Sequence, residues 1–427
     1  MTGDMAGGKP IRILHVLGVL NMGGAESRIM DLYRHIDRSR VQFDFLVHSA
    51  APVPGTASPT TEQLMQRREP EAYDAEARTL GARIYALPRF NGKNLAAYRR
   101  AARRFFAEHH DFAAVEGHMT SMASVYLPIA KRAGVPVVIA HVRSAGVSSG
   151  LRGLATRLLR VPLPFAADHL LACSRLAGEA VYGRRMMRSG RVRVVPNALE
   201  IEEFRFRPAV RKAVRQELGI PENAVVLGHV GRFDDAKNHS YLAERFIELC
   251  SGEKGDFRLL LVGEGRRMDA VRERLAAAGL AQRVMFCGQQ PRRRTQALYQ
   301  AMDVFVFPSL YEGLPGTVIE AQAAGLPCLI SDRITDETAV TPFVERLSLE
   351  EPERWIRELR TLASEQAAGD AAFCAEGTER AAGAGTESVQ LCGRPGRSEA
   401  AQAALAEAGF DIRRQARSMQ EWYLSLK

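Results

Sequence analysis

The sequence predicts an α/β protein built from two doubly wound parallel sheets, and three observations carry that prediction. Short apolar runs alternate with segments of helical period from about residue 11 to about residue 350. A Pro196-Asn197 break, followed by a charged stretch over 201–215, divides those runs into two series. At 427 residues the chain also exceeds what one hydrophobic core supports, so two domains of roughly 200 residues each are expected.

In the first series the runs at 11–17, 42–47, 83–87, 112–115, 136–140, 169–172 and 192–195 read as strands. Each is too short for a stable helix and ends in polar or Gly/Pro-containing sequence. The second series comprises 225–230, 258–262, 284–286, 304–307 and 328–330. In open parallel sheets ligands collect at the loops after the strands' carboxyl ends, so two facing sheets would frame a cleft. Residues 51–80 begin Pro- and Thr-rich and turn helical, which reads as an excursion at the edge of the first domain with no legible role. Residues 364–406 are dominated by Ala, Gly and Glu, lose apolar periodicity and carry a Gly393-Arg394-Pro395-Gly396 break, so they read as mobile or poorly packed. Amphipathic spacing returns at Ile412, Ala416, Met419, Trp422 and Tyr423, which predicts a packed terminal helix.

Hydrophobic content of 46% and charged content of 25% exclude wholesale disorder. No apolar stretch approaches the roughly 20 residues of a membrane span, and the N-terminus lacks a secretory h-region. The six cysteines form no C-x-x-C pair and no metal-spaced cluster, so reduced thiols and a cytoplasmic setting are expected. The net charge of +9 is uneven: residues 1–200 hold 28 Lys/Arg against 16 Asp/Glu (+12), the remainder 30 against 33 (−3). An anionic partner for the first half follows, and a membrane surface is favoured over nucleic acid because no nucleic-acid-reading motif accompanies the basic segments. Residues 151–163, LRGLATRLLRVPL, mix aliphatic side chains with Arg152, Arg157 and Arg160 and could rest on anionic headgroups as well as pack as a surface helix.

The residues that carry chemistry follow strands. Residues 303–320, DVFVFPSLYEGLPGTVIE, place Glu312 on a loop at a strand end and Glu320 in the first turn of the next helix. A helix start presents free N–H groups to a diphosphate, and the two carboxylates could accept hydrogen bonds from sugar and ribose hydroxyls. After the first strand comes Asn21-Met22-Gly23-Gly24-Ala25-Glu26. After 225–230 comes Gly231-Arg232-Phe233-Asp234-Asp235-Ala236-Lys237-Asn238, with two cations on one loop. After 258–262 comes Gly263-Glu264-Gly265. Each alone is equally a tight turn or a solvated loop. Together they form a nucleotide-sugar pattern.

These residues resemble the retaining glycosyltransferases of family 4, which have the two-domain, Rossmann-like GT-B fold. The resemblance runs through HVLGVLNMGGAESRIMDLYR, HMTSMASVYLPIAKRAGVPVVIAHVRS, VGRFDDAKNHSYL, LVGEG, AMDVFVFPSLYEGLPGTVIEAQAAGLPCLIS and GFDIRRQARSMQEWYL. Within the family it is most similar to transferases of exopolysaccharide and capsule assembly. The resemblance implies an acceptor domain over 1–200, a nucleotide-sugar domain over 201–410, and a helix over 411–427 returning to the first. It implies that Arg232 and Lys237 hold the donor diphosphate, that Glu320 binds ribose, and that Glu312 binds the transferred sugar. Gly263 and backbone amides at Leu314, Gly316 and Thr317 would line the donor site, with Gly24 on the opposite wall. His118 would face the reacting sugar, and His141 and Arg143 would meet acceptor or phosphate. No metal and no cofactor are implied, since no D-x-D pair is present and fixed cations can stabilise the leaving group. The implied donor is a UDP-sugar and the implied acceptor a saccharide, lipid-linked at the inner membrane face. A nucleotide-sugar epimerase and a non-catalytic basic surface binder are the competing readings.

Overall fold

The computed structural model describes residues 9–51, 53–56, 58–143, 150–252, 255–367 and 393–426. The Arg152 side chain, Cys374 and Cys392 lie outside the described residues, as does the 368–392 part of the segment expected to be mobile. The chain divides into two compact units, Met1–Ala198 with Ile412–Lys427, and Leu199–Asp411.

In the first unit seven strands form one sheet: β1 Ile11–Val16, β2 Val41–Ser49, β3 Ile84–Pro88, β4 Ala114–Gly117, β5 Val137–Val142, β6 His169–Ala172 and β7 Val192–Val194. Their order is β3-β2-β1-β4-β5-β6-β7, and every pairing is parallel. The second unit holds β8 Val225–Val230, β9 Phe257–Val262, β10 Val284–Phe286, β11 Val304–Phe307, β12 Cys328–Ser331 and β13 Val344–Leu347. Their order, β10-β9-β8-β11-β12-β13, is again wholly parallel. Both units are therefore Rossmann-like α/β halves. In each, strand order reverses once, between β1 and β4 and between β8 and β11. At such a reversal the loops leaving the two strands diverge to opposite faces and open a crevice for ligands.

β13 has no counterpart among the expected strands. Its sequence, VERL, occupies a sheet edge where Glu345 and Arg346 can face water, so it lacks the apolar run that marks the central strands.

Of two expectations about irregular segments, the helical turn within 51–80 is found and the poor packing of 364–406 is corrected. Residues 61–79 are two helices, Thr61–Arg67 and Asp74–Thr79, which send Leu64 and Ala77 into the core of the first unit. Their connector grips the loop after β1: Tyr73 N–H donates to Leu20 O at 3.1 Å, Ala72 N–H to Asn21 Oδ1 at 3.1 Å, and Leu20 N–H to Glu71. The segment over 364–406 is not poorly packed throughout, because Gly393–Glu407 is a helix. The Gly393-Arg394-Pro395-Gly396 cluster starts that helix, as Pro and Gly near a helix's first turn do not interrupt its ladder. Arg394 is buried and donates to the carbonyls of Ala324, Gln300, Met302 and Tyr299 at 2.6–3.0 Å.

The terminal helix Ile412–Ser425 buries Ile412, Ala416, Met419 and Tyr423 in the core of the first unit. It packs beside the helix Gly24–His35. Among the described residues no helix is long and apolar enough to cross a membrane.

Candidate functional site

In the second unit the residues expected to hold a donor gather at the β8/β11 reversal. Gly231 leaves β8 with its N–H on Val262 O, and Phe233 N–H donates to Glu264 O at 3.0 Å. This ties the loop after β8 to the Gly263-Glu264-Gly265 loop after β9. The approach is so close that a Cβ at Gly263 (φ +136°) would meet Gly231 O at 2.1 Å, and one at Gly265 (φ +154°) would meet Phe233 O at 2.5 Å. Only glycine fits there.

The other wall is the loop after β11. Leu310 N–H donates to Ala236 O at 2.8 Å, and Asn238, in the left-handed region at φ +55°, donates its side-chain amide to Pro308 O. The loop turns Lys237 toward Glu312, whose Oε1 lies 2.5 Å from Nζ, and sets the ammonium 4.5 Å from the Phe307 ring centroid. Beneath Lys237 lie two buried histidines. His229 stacks on Phe307 and donates Nδ1–H to Val306 O at 2.8 Å, and His239 stacks on Phe233. Desolvation pushes their pKa values down to about 3 and about 2, so this floor is neutral and does not repel the lysine.

Gly316–Ala323 is the helix after β11; its N-cap, Pro315, supplies no side-chain cap, so the helix start is left for another acceptor. Thr317 Oγ1 is buried there without a hydrogen-bond partner. Glu320 stands in the second turn, not the first as expected, because the helix begins at Gly316. It is buried, and the Tyr299 hydroxyl lies 3.0 Å from its Oε2 and 3.1 Å from Thr317 O. Arg232 is exposed on the same loop as Lys237, and Leu314 is buried just before the helix.

In the first unit His118, His141 and Arg143 come together at the β1/β4 reversal with three residues that sequence reasoning missed. Glu116 on β4 is the register partner of His15 on β1. Its Oε1 accepts from His141 Nδ1 at 2.7 Å, and its Oε2 accepts from the Tyr423 hydroxyl at 2.6 Å. Arg143 Nε donates to His118 Nδ1 at 3.4 Å, which leaves the His118 proton on Nε2, 3.0 Å from His15 Nδ1. Both nitrogens of His118 are thus engaged within the protein, and its side chain is 2% exposed. Arg143, only partly buried, also donates to Asn197 Oδ1 at 2.9 Å. Burial would raise the Glu116 pKa, but the hydrogen bond from His141 and the surrounding groups hold it well below the usual range. Desolvation lowers His15 and His141 to about 4 and holds His118 well below its ordinary value. The cluster is one carboxylate and one guanidinium around three neutral imidazoles.

His15, Glu116 and His118 also bring one metal-ligating atom each within 4.8 Å of one another. The chemistry fits a hydrogen-bonded cluster better than a cation site: the carboxylate is already held by His141 and Tyr423, and the Arg143 cation lies against His118. Of the three missed residues, Glu116 carried a signal in the sequence, as a charge inside the four-residue strand AVEG. Gly24 is the first residue of Gly24–His35, and the space its Cβ would occupy is open.

Residues 23–198 match the family Glycosyl transferase 4-like domain and residues 210–372 the family Glycosyl transferases group 1. The chain is 36% identical over 346 residues to the putative glycosyltransferase EpsF of Bacillus subtilis, covering 80% of this chain and 84% of that one. It is 30% identical over 210 residues to a UDP-Gal:alpha-D-GlcNAc-diphosphoundecaprenol alpha-1,3-galactosyltransferase of Escherichia coli, covering 48% of this chain and 53% of that one. Among solved structures, Anabaena HepE in complex with UDP and glucose superposes with a TM-score of 0.67 at 18% identity, over 97% of this chain and 100% of that one. A glycosyltransferase from Rickettsia africae gives 0.71 at 15% identity, over 98% of each chain.

Proposed function

The chain belongs to the GT-B glycosyltransferases of family 4, and from that membership we propose that it moves a sugar, with retention of configuration, from a UDP-sugar to a lipid-linked saccharide acceptor in exopolysaccharide or capsule synthesis. The observation that carries the donor reading is the Lys237–Glu312 pair beside an uncapped helix start in the second unit. In this reading the diphosphate lies against Lys237, Arg232 and the backbone N–H groups of Gly316 and Thr317. Leu314 and Gly263 line the pocket. Glu320, steadied by Tyr299, accepts from the ribose hydroxyls, and Glu312 accepts from the transferred sugar. When the C1–O bond to phosphate breaks, negative charge grows on the leaving diphosphate. Two fixed cations and oriented dipoles stabilise that charge without reorganising, so no divalent cation is assigned.

The first unit supplies the acceptor side. Gly24 leaves room at the reversal, and Arg143 is the charged group of its cluster with solvent access. His118 is the histidine assigned to the reacting sugar, and the hydrogen bond it would give up for that role is the one with Arg143, at 3.4 Å the longest hydrogen bond in the cluster. The acceptor's lipid-linked nature is supported by the Escherichia coli relative, whose acceptor is a diphosphoundecaprenol-linked sugar.

A membrane-facing surface fits the same reading. Leu154, Leu158, Val161 and Phe165 are 55, 64, 68 and 81% exposed and recur at helical spacing along Gly150–Arg160 and the turn after it. Arg157 is exposed beside them, and no Asp or Glu occurs between Glu116 and Asp168. An apolar strip flanked by arginine and free of acid suits the anionic inner face of a cytoplasmic membrane.

A thermal-shift screen against nucleotide sugars tests the donor site, because a ligand of the native state raises its melting temperature. UDP-sugars are expected to stabilise the protein, and Glu320→Ala and Lys237→Ala each to abolish the shift. Stabilisation that survives both substitutions would overturn the assignment.

A further inference from the structure

We propose that Tyr423, on the terminal helix, is a positioning residue of the transferase: by holding Glu116 it fixes the histidine–arginine cluster at the carboxyl ends of β1, β4 and β5. The inference rests on the transferase reading above. Tyr423 is 1% exposed and 307 residues distant from Glu116 in sequence, yet its hydroxyl is one of the two donors on that carboxylate. The second is His141.

The consequence follows from burial. A charged carboxylate out of water needs its acceptor positions filled, and a lost donor is replaced by whatever lies nearest. Loss of the hydroxyl vacates Oε2; the next donor is His118 Nε2, 3.7 Å from the carboxylate's other oxygen, Oε1, and committed to His15, within reach once the unheld carboxylate turns. If the hydroxyl is removed, Glu116 draws the His118 proton toward itself and breaks the chain from Arg143 through His118 to His15. Arg143 then keeps only its Asn197 contact within this cluster. Tyr423 therefore acts at a distance, on where His118 and Arg143 stand. It touches neither donor nor acceptor.

The ring itself is a packing group, with Phe43 at 5.9 Å and His15 at 6.5 Å between centroids. Tyr423→Phe keeps that packing and deletes one oxygen. The test compares wild type, Tyr423→Phe, Glu116→Gln and the double variant by UDP release from UDP-glucose and UDP-galactose, water taking the sugar, alongside the thermal shift given by UDP. Trp422→Leu serves as control: it loosens the same helix, since Trp422 packs on the core and under Arg193, without removing a donor from Glu116. Tyr423→Phe should lower kcat about tenfold, leave KM for the UDP-sugar and the UDP-induced shift within about twofold, and have no further effect in the Glu116→Gln background. Trp422→Leu should lose stability without that fall in kcat. Wild-type kcat in Tyr423→Phe, a further tenfold loss on top of Glu116→Gln, or loss of the UDP-induced shift would each overturn the positioning role. A wild-type protein neither stabilised by UDP nor releasing it would remove the transferase reading, and this inference with it.

Discussion

Lys237 and Glu312 meet at 2.5 Å although 75 residues separate them, and both side chains are less than one-fifth exposed. In the absence of donor the carboxylate neutralises the ammonium that the proposed diphosphate needs. Binding UDP therefore exchanges one charge-assisted partner of Lys237 for another. Lys237→Met should weaken UDP binding by roughly 10- to 100-fold, the value of a lost charge-assisted hydrogen bond. Glu312→Gln should leave UDP affinity equal or tighter, while erasing the extra affinity of a UDP-sugar over UDP. Calorimetric titration with both ligands separates the two, and weaker UDP binding by Glu312→Gln would contradict the assignment.

The glycines that join the two donor loops give a second prediction. Gly265→Ala places a methyl 2.5 Å from Phe233 O at a backbone φ of +154°, so the loop carrying Lys237 must move. The cost should be about 2 kcal/mol or more, from strain and displaced backbone together. UDP affinity should fall with it. Gly279→Ala is the comparison: φ is +75°, but nothing lies within 4 Å of the added carbon. It should cost about 1 kcal/mol in denaturant unfolding and leave UDP binding alone.

These loops were legible because each follows an apolar run and carries Gly or charge in a local pattern. What was illegible is tertiary. The helix Gly393–Glu407 has no apolar stripe to find, since its buried face includes Arg394, Arg397, Ser398 and Gln402, whose side chains bind carbonyl oxygens of neighbouring segments. β13 hid behind its edge charges. The helical turn within 51–80 was legible, and the Thr60/Gln63 capping box marks where it starts; its packing into the core of the first unit was not. Of the cluster around Glu116, His118, His141 and Arg143 could be singled out one by one, while His15 lay unnoticed inside the first apolar run. That Tyr423 closes it required the fold.

Buried histidines make the fold sensitive to acid. His15, His48 and His141 are pushed down to about 4, His229 to about 3 and His239 to about 2, in each case first by desolvation. An unfolded histidine takes up its proton near pH 6.5 and these folded ones do not, so the unfolded state binds more protons below that pH. Stability is therefore full above about pH 6.5 and falls on acidification until the folded values are reached. Each histidine contributes roughly 1.4 kcal/mol per pH unit within its window. Glu116, held low, adds a further loss below its unfolded range near 4.5. Urea midpoints measured from pH 8 to pH 4.5 should stay flat to about 6.5 and then drop steeply. Constant midpoints down to pH 5 would mean that these rings are solvated in solution.

The exposed strip on the first unit gives the last prediction. Leu158 and Phe165 are 64 and 81% exposed, and burying two such side chains in a headgroup region is worth about 1.5–3 kcal/mol each. An arginine near an anionic surface adds about 1 kcal/mol. Leu158→Asp with Phe165→Asp should therefore reduce sedimentation with phosphatidylglycerol vesicles by roughly 100-fold or more in partition coefficient. Arg157→Ala alone should reduce it about fivefold, and added salt should remove the arginine's share while leaving the apolar one. UDP binding should be unchanged in both variants, since the proposed donor residues belong to the other unit. Equal sedimentation of the double variant and the wild type would refute a membrane-resting role for this strip and leave the donor chemistry untouched.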